Sequence, residues 1–258
     1  MQLLDRLVAI IEAVTTRPEG AGLADIAKTT GLAPGTVHRL LGALTEAHLL
    51  ERDVDSRRFL PGVGLVRIAG GLASAGFSTA ADTTLGALRD RWQEGVYLTR
   101  LIDDGVVCVR AVSTSDPNRM SASVPVGRQM GVHASASGKA IAALVDDETV
   151  DRLLGAGGGL QQLTALTITD RATLDRDLAM TRERGYAVCD QETEIGVAAL
   201  AVAIVGPDGH PGRSIGVIGP RERVLAARDA GLVDDLVAAA RFLGSTAPVA
   251  LPAVEPVA

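Results

Sequence analysis

The sequence of 258 residues contains no apolar run long enough to cross a bilayer. Its first residues, MQLLDRLVAIIEAV, carry acidic side chains and a helical apolar period, where a signal peptide has a basic start and a cleavage site. These two absences predict a soluble, cytoplasmic protein with no membrane partner. The hydrophobic content of 47% is sufficient for one large packed domain or for two smaller ones.

Cysteine and metal-ligand patterns are also scarce. The two cysteines, Cys108 and Cys189, have neither CxxC spacing nor the histidine spacing of a zinc site. We therefore expect two reduced, buried thiols, no disulfide framework, and no bound metal or cofactor. The acidic residues Asp190, Glu192 and Glu194 have no histidine beside them, and we interpret them as a solvated loop.

The chain lacks the positive charge of a protein that coats nucleic acid without sequence preference, because its net charge is −6. This charge is distributed unevenly. Residues 1–77 contain eight Lys/Arg and eight Asp/Glu, so the whole negative excess lies in residues 78–258. A small neutral unit can still bind DNA if its arginines share one face.

Three short helices are predicted before residue 49. Apolar residues at helical spacing predict a first helix over residues 3–14, with a buried stripe of Leu4, Leu7, Val8, Ile11 and Val14. The segment LADIAKTT predicts a second helix, which Gly31 ends with a left-handed cap. The third helix is expected to begin at Pro34, to end at about His48, and to bury Val37, Leu40, Leu41 and Leu44.

The segment after the third helix predicts a wing. Leu49–Arg52 and Arg57–Leu60 are expected to pair as two strands around a polar turn. In a helix-turn-helix the second helix of the motif enters the major groove with its first turns, so its residues off the buried face contact DNA. The predicted DNA-binding residues are Gly35, Thr36, His38 and Arg39 on that helix, and Arg52, Arg57 and Arg58 in the wing. The alternative is a winged helix that contacts only proteins.

The rest of the chain differs in its predicted secondary structure. Residues 63–80 predict a linker helix, and residues 81–245 alternate helices with short β-rich runs. These runs predict one hairpin around Asp103, Asp104 and Gly105, a second around the loop GPDGHPG, and a helix that ends at Gly185 and leads into a strand. The tail over residues 246–258 contains three prolines and no periodic pattern, and we expect it to be disordered.

The stretch GVHASASGKAIAAL, residues 131–144, resembles two catalytic motifs but satisfies neither. A phosphate-binding P-loop would need glycine where His133 stands and a hydroxyl residue where Ala140 stands. A Ser-x-x-Lys hydrolase site would need a serine three residues before Lys139, where the sequence has Ala136. A hydrolase that uses Ser135 or Ser137 together with Lys139 remains the alternative function.

The same stretch predicts the start of a helix. Ser135 is a suitable N-cap, which leaves the amides of Ala136, Ser137 and Gly138 without helical partners. Backbone amides at a helix start can hold a carboxylate or another anion, with help from the helix dipole. If these amides hold no ligand, Ser135 only caps the helix and Lys139 is solvated.

Several motifs together resemble one family. The run LADIAKTTGLAPGTVHRLLGALTEAHLLERD, followed by FLPG, is similar to the winged helix-turn-helix of IclR-type bacterial transcriptional regulators. The resemblance continues through HASASGKAIAAL, TLDRDLAMTRERGYAVCDQE and IGVAALAVAIVG to GVIGP, and so covers residues 1–243. Two positions depart from the pattern: Gly35 stands where a polar residue is commoner, and Pro61 replaces the usual leucine.

The resemblance implies an α+β protein: a winged helix-turn-helix over residues 1–62, the linker helix over 63–80, and a GAF-like effector domain with a central antiparallel sheet over 81–245. It implies a ligand-responsive repressor that binds double-stranded operator DNA as a homodimer or dimer of dimers, pairing through the first helix and the linker helix. Carried over by position, the effector pocket comprises Met130, Ala136, Ser137, Gly138, Cys189, Val197, Ala199, Gly216 and Ile218. Because Gly216 and Ile218 make one wall apolar, we expect a carboxylate effector with an apolar body.

Overall fold

The computed structural model describes residues 2–65, 67–68, 79–102, 105–114, 116, 118–155 and 160–245. The chain divides into two compact units, Met1–Phe77 and Ser78–Ala258. The predicted tail, and most of the predicted linker helix, lie outside the described residues. Of that linker, residues 63–65 and 67–68 are helical. No helix in the described part of the chain is both long and apolar enough to span a membrane.

The first unit consists of three helices and a small hairpin. Its elements are α1 (Leu3–Thr15), α2 (Leu23–Thr30), α3 (Pro34–Glu46), β1 (Leu50–Arg52) and β2 (Phe59–Pro61). The sequence predicted each of them, although α3 ends two residues earlier than expected. Gly31 adopts the left-handed conformation that ends α2, with φ of 67°, and Pro34 supplies the first residue of α3.

The buried face of α1 differs from the predicted stripe. Ile10, Ala13 and Val14 are buried in the core of the unit, whereas Leu4 and Val8 are 70% and 46% exposed. The prediction was wrong for these two residues because α1 packs into the core of the unit with its carboxyl-terminal half, where Ile10, Ala13 and Val14 lie. In α3 the predicted residues Val37, Leu40, Leu41 and Leu44 are all buried.

The wing is a hairpin extended by a third short segment. β1 and β2 pair antiparallel, with Glu51 opposite Leu60. Phe59 also exchanges backbone hydrogen bonds with Ala21, at 2.9 and 3.0 Å, which ties the wing to the segment before α2. In the turn, Oδ1 of Asp53 accepts hydrogen bonds from the amide and hydroxyl of Ser56 at 2.7 and 2.6 Å. These contacts lower the pKa of Asp53.

The second unit contains a six-stranded antiparallel sheet between two layers of helices. Its strands are β3 (Gly95–Ile102), β4 (Gly105–Val112), β5 (Gln129–Met130), β6 (Ala187–Asp190), β7 (Val197–Ile204) and β8 (Arg213–Pro220), in the order β5-β4-β3-β8-β7-β6. Its helices are α4 (Thr79–Trp92), α5 (Ala136–Ala142), α6 (Asp147–Leu154), α7 (Arg171–Arg184), α8 (Arg221–Ala227) and α9 (Val233–Ser245), with a π-helical turn at Arg228–Leu232. The strands of both predicted hairpins pair antiparallel, and Asp103 and Asp104 in the turn of the first one lie outside the described residues.

The two faces of the sheet differ in side-chain size. Along β7, Leu200, Val202 and Ile204 face a core of large aliphatic residues contributed by α4, α8 and α9. The alternate positions, Ala199 and Ala201, face α5 in a cluster of small residues. Because these side chains are short, α5 packs close to the sheet on this alanine-rich face.

Candidate functional site

The amino-terminal end of α3 has an exposed polar surface. Gly35 has open space where a side chain would project, Thr36 is half-buried, and His38 and Arg39 are exposed. Val37 points into the core between them. The four predicted DNA-contacting residues of this helix therefore lie off its buried face, as the sequence predicted.

The three wing arginines are not equivalent. Arg52 and Arg57 are exposed, and the guanidinium of Arg52 lies over the Phe59 ring at 5.7 Å from its centroid. Arg58 instead donates a hydrogen bond of 2.9 Å to the carbonyl of Gly20 and is half-buried. The sequence placed Arg58 with the other two, but part of its guanidinium is occupied in holding the wing to the body of the unit.

Helix α5 begins as the sequence predicted, with Ser135 as its N-cap. The Ser135 hydroxyl accepts a hydrogen bond from the Gly138 amide at 3.0 Å and donates one to the Gly131 carbonyl at 2.8 Å. The predicted anion site was therefore wrong for Gly138, because the amide of this residue already donates to Ser135 and is not available to a ligand. A side chain at Gly138 would lie 2.5 Å from Cα of Val132, so the close packing of this turn requires glycine.

Lys139 is buried. The expectation that it would be solvated if the start of α5 held no ligand was therefore wrong. Its side chain is 1% exposed, and its ammonium lies 2.6 Å from Oε1 of Glu192 and 3.0 Å from Oδ2 of Asp177 in α7. An ammonium held between one buried and one half-buried carboxylate is a structural cation and is not available as a general base for Ser135 or Ser137. Lys139 therefore fastens α5 to α7 and to the segment after β6.

The acidic run after β6 is likewise not a solvated loop, and that interpretation was wrong for two of its three residues. Glu192 is buried against Lys139, and burial raises its pKa above the ordinary value, with Lys139 opposing the shift. Asp190 accepts two hydrogen bonds from Arg221, at 2.7 and 3.0 Å. Only Glu194 is exposed. The missed signal was Lys139 itself, a cation in an otherwise apolar stretch that needed a buried partner.

Tyr97, which was not among the predicted pocket residues, is buried on the same side of the sheet, next to the alanine-rich cluster. It stands directly opposite Gly216 in the pairing of β3 with β8. A side chain at Gly216 would lie 2.7 Å from Cζ and from the hydroxyl oxygen of Tyr97, so the phenol ring covers this glycine. Burial raises the pKa of Tyr97 well above its ordinary value, and the nearby Ser137 hydroxyl opposes this only in part.

The structure brings most of the predicted pocket residues together around this ring. Met130 and Ile218 pack against the cluster of Tyr97, Cys108 and Val124. Ala136, Cys189 and Ala199 form the adjoining small-residue cluster, which Ile218 also contacts. Ser137 lies beside the Tyr97 hydroxyl, whereas Val197 is half-buried at the start of β7. Because Tyr97 covers Gly216, the wall that was expected to be apolar at Gly216 and Ile218 also carries a phenol hydroxyl.

The cysteines are free and buried, as the sequence predicted. The Cys189 thiol donates to the Ala134 carbonyl at 3.1 Å. Burial raises the pKa of Cys108 to about 11, so this thiol is protonated at neutral pH. Within the described ranges, no group of three or more His, Cys, Asp or Glu side chains is placed to hold a metal ion.

Two family models match the chain. The model described as the IclR helix-turn-helix domain matches residues 3–54. The model described as the bacterial transcriptional regulator IclR C-terminal domain matches residues 70–244. Together they cover both units of the structure, in the same order.

Individual relatives agree with these matches. The HTH-type transcriptional regulator BhcR of Paracoccus denitrificans is 30% identical over 244 residues, which are 94% of this chain and 86% of the relative. The transcriptional repressor IclR of Escherichia coli is 28% identical over 227 residues, 87% of this chain and 82% of the relative. A crystal structure of an IclR homolog from Microbacterium hydrocarbonoxydans, complexed with 4-hydroxybenzoate, shares the fold, with a TM-score of 0.77, 23% identity, and coverage of 94% of this chain and 98% of that one.

Proposed function

Because the chain belongs to the IclR family of bacterial transcriptional regulators, we propose that it represses transcription by binding operator DNA through α3 and the wing, and that a small carboxylic acid controls this binding. The family is one of DNA-binding regulators, and the comparisons give the hydrolase alternative no support. The observation that carries the DNA-binding part is the exposed polar end of α3, in which the core residue Val37 is flanked by Thr36, His38 and Arg39.

In this proposal α3 lies in the major groove with Gly35 and Thr36 closest to the backbone. Gly35 allows close approach because nothing occupies the space beside its Cα. Arg39 can make a bidentate contact with guanine, and His38 can contact a base or a phosphate. Arg52 and Arg57 contact flanking phosphates, while Arg58 acts chiefly by orienting the wing.

Lys28 and Thr29, both exposed near the end of α2, are further candidate phosphate contacts. In a helix-turn-helix the helix before the recognition helix crosses the DNA backbone. These two residues were not among the predicted DNA contacts, which came only from the recognition helix and the wing. A Lys28→Ala variant would weaken binding to every DNA sequence equally.

We propose that the regulator acts as a homodimer, paired through α1. Leu3, Leu4 and Val8 of this helix are 57%, 70% and 46% exposed and lie outside the core of the unit. Exposed apolar residues grouped on one helix are typical of an interaction surface. Two recognition helices would then read two half-sites, which gives the specificity that one helix cannot supply.

The proposed effector site lies between α5 and the alanine-rich face of the sheet. In this proposal it comprises Met130, Ala136, Ser137, Cys189, Val197, Ala199, Gly216 and Ile218, and we include Tyr97 because its ring covers Gly216. Gly138 shapes the turn but does not offer its amide. Ligand binding there would alter the effector unit and, through the linker over residues 63–80, the spacing of the two recognition helices.

The DNA-binding part is tested by fluorescence anisotropy of the full-length protein on labelled DNA from upstream of its own gene, with excess unlabelled random DNA. The proposal predicts saturable binding that survives the competitor and is lost in Arg39→Ala. Arg152→Ala, an exposed arginine of α6, is the matched control and should bind as the wild type does. Binding that does not change in Arg39→Ala, or no specific binding at this or neighbouring promoters, would instead favour a winged helix that contacts proteins.

A further inference from the structure

The carboxylate of Glu94 is buried where three parts of the second unit meet. Glu94 follows the last residue of α4 by two positions, and its side chain is 1% exposed. Its Oε1 accepts hydrogen bonds from Arg119 at 3.1 Å and from Nε of Arg223 in α8 at 2.5 Å. Its Oε2 accepts a third from Nη2 of Arg223 at 3.0 Å. Glu94 therefore joins the end of α4 to α8 and to the segment that carries Arg119.

That segment, residues 118–124, is held at both of its ends. Near its start, the Met120 carbonyl accepts a hydrogen bond from Arg223 at 2.5 Å, beside the contact of Arg119 with Glu94. At its end, Val124 is buried in one cluster with Tyr97. Because Tyr97 belongs to the proposed effector site, residues 118–124 extend from that site to the Glu94 carboxylate.

The end of α4 is fixed close to the same carboxylate. Nε1 of Trp92, the last residue of α4, donates a hydrogen bond of 2.8 Å to Asp235 in α9. Only Gln93 separates Trp92 from Glu94, and a trans peptide chain allows little independent movement over two residues. Helix α4 begins at Thr79, in the last part of the linker over residues 63–80. A displacement of Glu94 is therefore passed to the helix that continues from the linker.

No second carboxylate can replace Glu94 in these contacts. In the part of the chain that the structure describes, neither Arg119 nor Arg223 contacts another carboxylate. Nε of Arg119 is buried and has no hydrogen-bond partner among the same residues. Two guanidinium groups that share one carboxylate repel each other once its charge is removed. Loss of the Glu94 charge therefore releases Arg119, together with the start of the segment.

We infer that Glu94 is a positioning residue in the ligand response, because its carboxylate couples the position of residues 118–124 to that of α4. This inference rests on the proposed function, since it specifies how the effector site communicates with the linker. A ligand that displaces Tyr97 or Val124 moves the segment, and the arginine contacts transmit this movement to Glu94 and α4. Coupling between two sites is reciprocal, so DNA bound by the first unit alters residues 118–124 in return.

The test is hydrogen–deuterium exchange of the full-length protein, alone and with saturating duplex DNA from upstream of its own gene. In the wild type, DNA is expected to change the exchange rates of residues 118–124 by about fivefold or more. Glu94→Gln keeps the size of the side chain and removes its charge. This variant is expected to bind the DNA with saturation, while the exchange rates of residues 118–124 no longer respond.

The exchange rates without DNA separate coupling from a general loss of stability. Glu94→Gln should accelerate exchange by about fivefold or more both in residues 118–124 and at the end of α4, and should leave α7 unchanged. A residue that only stabilises the fold would accelerate α7 as well. Asp235→Asn removes the contact of α9 with Trp92, and should accelerate the end of α4 without affecting residues 118–124.

Two further variants complete the comparison. Glu222→Gln changes an exposed carboxylate next to Arg223 and should behave as the wild type does, with and without DNA. Arg119→Gln removes only the contact on the side of the segment. It should also abolish the response of residues 118–124 to DNA, and it decides the inference if Glu94→Gln does not fold.

The remaining outcomes overturn either the inference or the proposed function. If the wild type binds the DNA but residues 118–124 do not respond, or if they respond equally in Glu94→Gln, the inference fails and the DNA-binding proposal stands. If the wild type does not bind the DNA specifically, the proposed function fails. The exchange rates without DNA then still decide the coupling, because acceleration confined to residues 118–124 or to α4 would contradict it.

Discussion

The ammonium of Lys139 lies 2.6 Å from a carboxylate oxygen of Glu192, which follows it by 53 residues in the chain. This contact joins α5, the helix on which Ser137 stands, to the segment between β6 and β7. The same segment is fixed from its other side, because the Arg221 amide donates to the Gly196 carbonyl at 2.8 Å. The walls of the proposed effector site are thus held by ionic and backbone contacts that lie behind the site.

Removing the lysine is expected to destabilise the effector unit strongly. Lys139→Met keeps most of the side-chain volume but removes the cation that faces the buried carboxylate of Glu192, which should cost about 3–5 kcal/mol in the free energy of unfolding. Urea unfolding followed by Trp92 fluorescence measures this change, since Trp92 is the only tryptophan and lies in this unit. Arg152→Met, an exposed cation on α6, should change the same quantity by less than about 0.5 kcal/mol. If Lys139→Met changed the free energy of unfolding as little as Arg152→Met does, the contacts of Lys139 with Glu192 and Asp177 would not be structural.

The Glu192 carboxylate predicts a pH dependence of stability. Its pKa is raised above 4.5 in the folded protein, chiefly by burial, so the folded state holds this proton more tightly than the unfolded chain does. The contribution of Glu192 to the free energy of unfolding is therefore fully present below pH 4.5 and is lost as the pH rises through the folded pKa. The free energy of unfolding of the wild type minus that of Glu192→Gln should therefore decrease as the pH rises from 4.5 through the folded pKa of Glu192. A difference that increases with pH would mean that the ion pair with Lys139 outweighs burial and holds the folded pKa below 4.5.

Two glycines in helices of the same unit should respond oppositely to alanine. At Gly138 an added Cβ would lie 2.5 Å from Cα of Val132, so Gly138→Ala should destabilise by about 1–3 kcal/mol through displacement of the backbone. At Gly86 in α4 nothing lies within 4 Å, and Gly86→Ala should stabilise by about 0.5–1 kcal/mol through higher helix propensity. The midpoints of urea unfolding of the two variants measure both effects. Equal shifts would contradict the close packing of α5 described above.

The wing arginines should be separable by the salt dependence of DNA binding. Each phosphate contact adds about 0.9 to the slope of log K against log salt. Arg57→Ala and Arg52→Ala are expected to reduce the slope by about that amount each. Arg58→Ala should change it less and should lower stability instead, because Arg58 is hydrogen-bonded to the Gly20 carbonyl. If only Arg58→Ala reduced the slope by about 0.9, Arg58 would be the wing arginine that contacts a phosphate, and Arg52 and Arg57 would not be.

Local patterns in the sequence were sufficient to predict the helices of the first unit, the wing and both hairpins, since each depends on apolar spacing, caps or turn residues close in sequence. Partners distant in the chain were not predictable in this way. Lys139 meets Glu192, and Tyr97 covers Gly216, only because the order of the strands brings β3 beside β8 and α5 beside the end of β6. Nothing near Lys139 or Tyr97 in the sequence indicates these partners, because both contacts form only when the chain has folded.

The most direct test of the account is the affinity of the full-length protein for its operator, measured by anisotropy with and without a saturating acid that calorimetry has shown to bind. A ligand-controlled regulator should change its DNA affinity about fivefold or more, and DNA should change the affinity for the acid by the same factor. An acid that binds at the α5 site and leaves the DNA affinity unchanged would contradict the account.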